Sequence, residues 1–423
     1  MKNILTTAVL VAASASGALA EANLINGNWY GKPVDKIVYT GWGQSGTYNK
    51  VTDMTNGQCK FEKVNYDGNL APLNGEVSWH FRGPMHLKQF AFYTPGSTTK
   101  RSLRQSQHQR KHGHAHGHQE RAVGDIVTAT INGDVVTWVN TFGGPPTDSP
   151  AAATPAAEAA KVASQAPKPS PTSAPKVNAG AGNWGRQAYY NAVKGTADSL
   201  VFFNNMGGQG SGVFDNNFGN SLSYAASDAG SGSSSPQVLG DILLGDNVEF
   251  SIYTDKPCEG NSCGYYRPGS VAHHGFGGES KLFLLEFSAP SSNLKTGFNA
   301  DMPAAWMLNA AIARTQQYGK CSCWDSGCGE WDIFEVLDAG NTRMKSTLHI
   351  GPNSGGESDY FERPLNKEET LKAAVIFDNA NKSGHIVKLP SDTKFDATIS
   401  DQFIADLGSN LAPELTKVFK LAS

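Results

Sequence analysis

Three carboxylates lie close together between residues 329 and 337: Glu330, Asp332 and Glu335. This stretch is rich in aromatic and branched residues, which favours a β-strand. Two glutamates on one face could approach to about 5–5.5 Å, the separation at which a retaining glycosidase attacks a sugar with one carboxylate and protonates the leaving oxygen with the other. Asp332 would hold the nucleophile by a hydrogen bond, and its charge would favour a protonated neighbour.

The spacing of the three carboxylates does not fit a regular strand. Alternation places Glu330 and Asp332 on one face but Glu335 on the other. One extra residue, at Ile333 or Phe334, would return Glu335 to the acidic face. The sequence therefore predicts a β-bulge at the candidate catalytic strand.

Two other interpretations of these carboxylates remain open at this point. They could form a plain solvated strand face, although three like charges on one face repel one another and are not selected by stability alone. They could also bind Ca²⁺, which prefers hard oxygen ligands.

The flanking segments add a resemblance to a known enzyme family. Glu330-x-Asp332-x-x-Glu335 resembles the bulged active-site strand of the family 16 glycoside hydrolases, the laminarinase and glucan transglycosylase clan. Residues 301–308 resemble the Pro-Ala-x-Trp-Met-Leu stretch that precedes that strand, and residues 346–351 resemble the Thr-x-His-x-Gly strand that follows it.

The resemblance implies a concanavalin-like β-jelly-roll sandwich with endo-1,3-β-glucosidase activity. It assigns Glu330 as the nucleophile, Asp332 as its assistant and Glu335 as the acid/base. It also implies that Trp306 and His349 line the sugar subsites. No cofactor and no metal are implied, because glycosyl transfer by carboxylates needs neither.

The layout of the whole chain resembles the fungal cell-wall "target of SBF" family. That family has a signal peptide, a Gly-rich N-terminal domain with a His-Phe-Arg-Gly-Pro stretch (here 80–84), a linker and a C-terminal domain. Residues 321–330 are similar to its cysteine-rich signature. Trp324 within this segment could stack on a pyranose ring or pack against the neighbouring cysteines. Trp331 departs from family 16, which usually has a smaller aliphatic residue there.

Composition favours a turn-rich β protein. Only 17% of the 423 residues are charged, with 46 Gly and 21 Pro, which suits β structure better than helical bundles. The formal net charge of −3 gives no basic field for nucleic acid. Residues 1–20 read as a signal peptide, and no later apolar run is long enough to span a membrane. We therefore expect a secreted, extracellular protein, and the family resemblance implies that it is located in the cell wall.

Changes in composition divide the chain into six segments. They are a signal peptide (1–20), a Gly-rich N-terminal β domain (21–98), a basic His-rich linker (99–121), a possible β-hairpin (122–143), a Pro/Ala/Ser/Thr-rich linker (144–182) and a glycosidase-like β-sandwich domain (183–423). The linkers are expected to be disordered because they have too few apolar residues to bury. Short helices are expected at 304–313 and 401–407.

The six cysteines predict disulfides, as is usual in a secreted chain. Cys258 and Cys263 are close enough for a small-loop bridge, whereas Cys59 could pair across domains or stay free. A zinc site in the cluster that begins at Cys321 is the competing interpretation, although its spacing is unlike common zinc motifs. Asn381 begins an N-glycosylation sequon, so a glycoprotein is expected.

Three functions follow from these patterns. The leading one is a hydrolase that acts on cell-wall β-glucan as a retaining endo-1,3-β-glucanase or transglycosidase. The second is a non-catalytic, glucan-binding structural wall protein, and the third is a metal-linked surface protein built around the cysteines and the His tract at 112–118. Trp29, Tyr30, Trp42 and Trp79 could make the N-terminal domain a glucan-binding module or simply form its core.

Overall fold

The structure is a computed structural model that describes residues 22–43, 45–96, 126–131, 134–139, 171–172, 179–351 and 354–421. The chain divides into two units, one formed by residues 100–166 and the other by residues 1–99 and 167–423. The expected signal peptide and the basic His-rich linker lie outside the described residues.

The described chain is built almost entirely of β-strands, which confirms the expected all-β class. In chain order, the strands are β1 Asn23–Ile25, β2 Asn28–Tyr30, β3 Lys36–Thr40, β4 Gly46–Thr55, β5 Gln58–Tyr66, β6 Val77–Arg82, β7 His86–Pro95, β8 Ile126–Ile131, β9 Asp134–Val139, β10 Asn183–Asn191, β11 Thr196–Asp198, β12 Leu200–Asn204, β13 Phe214–Asp215, β14 Gly219–Asn220, β15 Ser223–Ala225, β16 Gly232–Ser233, β17 Glu249–Thr254, β18 Lys281–Ser288, β19 Ala304–Asn309, β20 Glu330–Glu335, β21 Arg343–His349, β22 Phe361–Glu362, β23 Leu371–Asp378, β24 Ser383–Leu389, β25 Thr398–Ser400 and β26 Thr416–Lys420.

The helices are short. They are α1 Ala311–Thr315, α2 Asp401–Asp406 and two 3-10 turns at Trp324–Ser326 and Pro413–Leu415. Helix α2 forms where the sequence predicts one, and the Ser400 hydroxyl accepts a hydrogen bond from the Phe403 amide at its start. The helix expected at 304–313 is wrong for its first half, because residues 304–309 form strand β19.

Two nine-stranded sheets form most of the larger unit, which also has the two-stranded pairs β1–β2, β4–β5 and β13–β14. Sheet A has the order β11-β10-β7-β18-β23-β24-β3-β26, with β25 paired to β10. Sheet B has the order β16-β15-β12-β17-β6-β19-β20-β21-β22. Neighbouring strands are antiparallel except β26, which runs parallel to β3. In the smaller unit, β8 and β9 pair around Asn132-Gly133, where the sequence predicts a hairpin.

Aromatic side chains fill the space between the two sheets. Trp79 of β6 contacts Phe90 and Phe283 of sheet A, with ring centroids 6.0 and 5.5 Å apart. Trp331 of β20 likewise contacts Phe377 of β23 at 5.4 Å. These edge-to-face contacts join the sheets into one continuous core, as in a β-sandwich.

The N-terminal segment does not form a separate domain, which corrects the expected boundary between 21–98 and 183–423. Strand β6 lies between β17 and β19, β7 between β10 and β18, and β3 between β24 and β26. The alternating patterns correctly indicate these strands, but pattern alone does not say which strands pair with which. Residues 36–95 therefore supply central strands to both sheets.

The two outer faces of the sandwich differ. On sheet A, Tyr93, Leu284 and Ile376 form a second apolar cluster, against which residues of α2 pack. On sheet B, β6, β19, β20 and β21 present polar and aromatic side chains on the face opposite the core. Sheet B therefore has the face that can receive a ligand.

All six cysteines are paired, and this excludes a thiolate zinc site. The bridges are Cys59–Cys321, Cys258–Cys263 and Cys323–Cys328. The expected Cys258–Cys263 bridge is confirmed, and Cys59 has its partner in the segment that precedes β20. Across the described ranges, no helix has the length and apolar character needed to cross a membrane. The sequon residue Asn381 is exposed at the turn between β23 and β24.

Candidate active site

The predicted bulge is present in strand β20. Opposite β19, Ala305 pairs with Phe334 and Trp306 pairs with Asp332, so Ile333 has no partner there. Ile333 and Phe334 are both fully buried in the core. Because two successive residues face inward, the residue that follows returns to the outer face.

The other neighbour of β20 shows the same irregularity. Asp332 pairs with Thr347 and Glu335 with Lys345, so two residues of β20 lie opposite the single Ser346 of β21. The bulge thus gives Glu330, Asp332 and Glu335 a common face, and the prediction of an extra residue at 333 or 334 is confirmed.

Strand pairing arranges the open face of sheet B in transverse rows. The rows are Ser78–Leu308–Glu330–His349, Ser251–His80–Trp306–Asp332–Thr347 and Glu249–Arg82–Ala304–Glu335–Lys345. Residues directly opposite each other on antiparallel strands have side chains on the same face, with Cβ atoms about 4.5–5.5 Å apart. Each carboxylate of β20 therefore belongs to its own row of neighbours.

Glu330 is held by the cysteine-rich loop. The Trp324 Nε1–H group donates a hydrogen bond to Glu330 Oε2 at 2.5 Å. Burial, reinforced by the charge of Asp332, raises the pKa of Glu330 to about 8, while the Trp324 hydrogen bond opposes this shift. Trp324 is 45% exposed, so its ring also presents a surface to a ligand.

Asp332 is paired with His349 rather than left free beside Glu330. His349 Nε2 lies 3.2 Å from Asp332 Oδ2. This hydrogen bond raises the pKa of His349, so the imidazolium form is favoured.

Glu335 shares an arginine with a fourth carboxylate. Arg82 Nη2 lies 3.6 Å from Glu335 Oε1, and Arg82 Nη1 lies 3.9 Å from Glu249 Oε1. The hydroxyl of Tyr318 donates a hydrogen bond to Glu249. Burial, reinforced by the charge of Asp332, raises the pKa of Glu335 to about 7, and Arg82 opposes this shift.

Two cavities open on this face, and Gln317 and Tyr318 line both of them. One of about 380 Å³ is lined by Trp306, Trp324 and Glu330 among others. The other, of about 500 Å³, extends over β6 and β17 and is described further below. A saccharide at Glu330 would therefore meet both tryptophans.

Trp306 is mostly covered by its own neighbours. Its ring stacks on His80 with centroids 5.4 Å apart, and the Arg82 guanidinium lies 5.8 Å from the ring centroid. Burial lowers the pKa of His80 to about 3, so this imidazole is neutral. Trp306 thus forms the floor of the smaller cavity. It lies between the neutral imidazole of His80 and the charged guanidinium of Arg82.

Within the described part of the chain, two groups of side chains have metal-ligand spacing. Glu330, Asp332 and His349 each have a ligand atom within 4.8 Å of the others, but His349 and Asp332 already bond to each other. The second group, Glu76, Cys263 and His274, is unsuited because Cys263 is in a disulfide.

The sequence did not indicate Arg82, Glu249 or Tyr318. Arg82 and Glu249 lie far from the carboxylate strand along the chain, whereas Tyr318 lies between α1 and the cysteine-rich loop. One signal existed for Arg82, since it lies within the His-Phe-Arg-Gly-Pro stretch. Of the four N-terminal aromatic residues for which both glucan binding and core packing were considered, Tyr30, Trp42 and Trp79 are buried, and Trp29 is 58% exposed.

Fold and site together define an all-β sandwich protein with a bulged, carboxylate-bearing strand on its open face. A family model described as "Cell wall protein YJL171C/Tos1, C-terminal" matches residues 182–407, and the corresponding N-terminal model matches residues 35–95. The chain belongs to this YJL171C/Tos1 cell-wall protein family, which confirms the family resemblance seen in the sequence.

Curated relatives match over nearly their whole length. "Probable circularly permuted 1,3-beta-glucanase TOS1" of Saccharomyces cerevisiae is 41% identical over 93% of this chain and 95% of its own. A "Probable circularly permuted 1,3-beta-glucanase" of Arthroderma benhamiae is 42% identical over 94% of each chain. A Candida albicans protein with the same name as the first is 38% identical over 89% and 91%. No solved structure matches the chain significantly.

Proposed function

We propose that this protein is a secreted, retaining glycosidase that cleaves or rearranges β-1,3-glucan of the cell wall. The observation that carries the proposal is the bulge of β20, which gives Glu330, Asp332 and Glu335 one face. A plain acidic surface has no need of a bulge that aligns both glutamates, nor of two cavities beside them. The names of the relatives support β-1,3-glucan as the substrate class.

In the proposed first step, protonated Glu335 donates its proton to the glycosidic oxygen while the Glu330 carboxylate attacks the anomeric carbon. The bond between that carbon and the leaving oxygen breaks, and an ester between Glu330 and the sugar forms. The shortened chain leaves as a neutral alcohol, and Glu335 is left as a carboxylate.

In the second step, Glu335 acts as the base. It removes a proton from water or from a sugar hydroxyl, and that oxygen displaces Glu330 from the anomeric carbon. Water gives hydrolysis, whereas a sugar hydroxyl gives transfer of the chain. Both outcomes retain the configuration of the anomeric carbon because each involves two inversions.

The surrounding side chains suit these roles. Trp324 and the His349 imidazolium favour the ionised form of Glu330, which a nucleophile requires. Arg82 favours the ionised form of Glu335, which the second step requires. Because burial raises the pKa of both glutamates, the pair retains a proton near neutral pH. The first step requires this proton on Glu335, although burial raises the pKa of Glu330 further.

We further propose that the chain is circularly permuted, as the names of its relatives state for those proteins. Segment 36–95, which supplies central strands of both sheets, would then correspond to strands that follow the carboxylate strand in an unpermuted jelly roll. This rearrangement accounts for the limited extent of the family 16 resemblance, which covers 280–351.

Incubation of the full-length protein with a linear β-1,3-linked glucose hexasaccharide tests the activity. We expect mass spectrometry to detect shorter products, longer products or both. Glu330→Gln and Glu335→Gln should each lower the rate by at least about a thousandfold, because neither step proceeds without both carboxylates.

Glu414→Gln provides a matched control, because this glutamate is exposed in the 3-10 turn near the C-terminus. It should retain the full rate. Retention of the protein on insoluble β-1,3-glucan without products from any version would contradict catalysis and favour the glucan-binding structural role.

A further inference from the structure

The larger cavity on the open face of sheet B extends from Arg82 and Glu249 away from the carboxylates of β20. Its volume is about 500 Å³, and its lining includes Ser251, Phe298 and several side-chain amides. Ser251 is in the same row as Asp332 but three strands away, which corresponds to about 14 Å at the usual strand spacing. The part of the cavity at Ser251 is therefore too distant to hold the bond that reacts.

A buried hydroxyl in this cavity has no partner. Ser251 is 2% exposed, and its Oγ forms no hydrogen bond with any other residue that the structure describes. Ser251 pairs with His80, so both side chains face the open side of the sheet. An unsatisfied buried hydroxyl destabilises the fold, and a ligand hydroxyl would satisfy it.

An exposed aromatic ring forms another part of the lining. Phe298 is 82% exposed, on the segment that leads into β19. An exposed ring offers an apolar surface on which the face of a pyranose can stack. Since Phe298 contributes little to the core, this position suggests a role in binding.

The remaining polar groups are neutral or already paired. Asn205 Nδ2 donates to Gln317 Oε1 at 3.3 Å, and Asn299 Nδ2 donates to Asn247 Oδ1 at 2.9 Å. In each pair, one amide oxygen and one amide nitrogen take no part in that bond. The charged residues Arg82 and Glu249 lie against each other. The lining therefore suits a neutral ligand with many hydroxyl groups.

Gln317 and Tyr318 connect this cavity to the one beside Glu330, because they line both. We propose that the larger cavity is a remote subsite for a glucosyl residue of the same neutral glucan chain, which rests on the proposed function. The protein would then hold several sugars in addition to the two that flank the reacting bond.

Calorimetric titration of the full chain carrying Glu330→Gln tests this subsite without any need for turnover. The ligands are linear β-1,3-linked glucose hexasaccharide and disaccharide. Adding Phe298→Ala should weaken hexasaccharide binding about fivefold to tenfold, and adding Ser251→Ala about threefold to tenfold. Disaccharide binding should change less than twofold, because a short ligand does not reach from Glu330 to Ser251.

Phe214→Ala is the matched control, since Phe214 is 60% exposed but lines neither cavity. It should bind both ligands as the Glu330→Gln parent does. The melting temperature of Ser251→Ala should not fall, because the variant removes a hydroxyl that has no partner.

Equal hexasaccharide affinity in all variants, or no binding at all, would overturn the remote subsite. Cleavage by the wild type together with equal affinities would reject the subsite alone. Weakened binding in both variants without cleavage by the wild type would leave the subsite standing and reject the proposed catalysis.

Discussion

Arg82 is the residue that links the candidate acid to the rest of the open face. It lies between Glu335 and Glu249, and its Nε donates to the backbone oxygen of Met302 at 2.9 Å. A cation shared between two carboxylates lowers the pKa of each less than it would lower that of one alone. Glu249 therefore acts on Glu335 through Arg82, as a positioning residue.

The pH profile tests this arrangement. Other charged groups that face the pair are Asp332 and Glu330 on β20, with His349 and Lys345 on β21. In Glu249→Gln, Arg82 interacts with Glu335 alone and a like charge is removed, so the pKa of Glu335 falls. A general acid must be protonated, so activity is lost at lower pH. We expect the alkaline limb of the pH profile of kcat/KM to shift to lower pH by about 0.5–1 unit.

Glu286→Gln serves as the control for this shift. Glu286 is a half-buried, hydrogen-bonded glutamate on sheet A, and its loss should leave the limb unchanged. Arg82→Met should move the limb in the opposite direction, because it removes the cation beside Glu335. A Glu249→Gln profile that coincides with that of Glu286→Gln would contradict the role given to Glu249.

At the scale of elements, the loop before β20 shows how disulfides position the contact between Trp324 and Glu330. Cys323–Cys328 closes a short loop around the turn that carries Trp324, and Cys59–Cys321 ties the start of that loop to β5. The backbone N–H of Asn49 also donates a hydrogen bond to Ser326 Oγ at 2.9 Å. Trp324 is thereby fixed where its Nε1–H reaches Glu330.

Removing the Cys323–Cys328 bridge should therefore affect the rate more than the fold. We expect the double variant Cys323→Ser/Cys328→Ser to lower kcat about tenfold, because Trp324 no longer favours ionised Glu330 in a fixed position. Steady-state kinetics with a β-1,3-linked oligosaccharide, together with thermal unfolding, would measure both effects.

The bridge Cys258–Cys263 offers a matched control because it closes a loop of the same sequence separation, five residues. Its removal should lower the melting temperature without changing kcat. Equal kcat values for the two double variants would show that the Trp324 loop needs no such support.

The bulge in β20 could be predicted from the sequence because the spacing of its carboxylates does not fit a regular strand. Glu335 could share a face with Glu330 only through a bulge, so the chemistry required the irregularity in β20. The helix expected at the start of 304–313 failed because alanine and leucine favour helices in isolation, whereas pairing with β6 and β20 decides the structure there. Trp331 departs from family 16 because it fills the core, against Trp42 at 5.1 Å and Phe377.

At the scale of the whole molecule, the sequence could not show that distant segments form one sandwich. Pro- and His-rich stretches separate residues 36–95 from 183–423, and such stretches usually separate domains. Strand pairing across that gap depends on long-range contacts that no local pattern encodes. Arg82 and Glu249 were missed for the same reason, because only the β6–β17 pairing brings them together.

Residues 36–95 and 183–423 build the same two sheets, so the two fragments should stay associated when the chain is cleaved between these segments. A protease site inserted within residues 140–170 should yield fragments that co-elute in gel filtration and retain activity, because β3, β6 and β7 stay within the sheets. On a denaturing gel the cleaved protein should run as one band without reductant and as two bands with it, because Cys59–Cys321 joins the fragments.

The variant Cys59→Ser/Cys321→Ser, cleaved in the same way, should give two bands without reductant but still co-elute in gel filtration. A fragment of residues 183–423 expressed alone should be insoluble, because its sheets lack three central strands. Separate elution of the N-terminal fragment from the cleaved Cys59→Ser/Cys321→Ser variant would contradict the single-sandwich fold.

The central claim is that Glu330 forms a covalent bond to the sugar, and trapping that bond tests it most directly. A β-1,3-linked glucose disaccharide with fluorine at C2 of the reacting ring and an activated leaving group should form the ester but hydrolyse it slowly. We predict a mass adduct on the peptide that contains Glu330, absent when Glu330→Gln is treated in the same way. An adduct on Glu335, or product of inverted configuration from the natural oligosaccharide, would contradict the assignment.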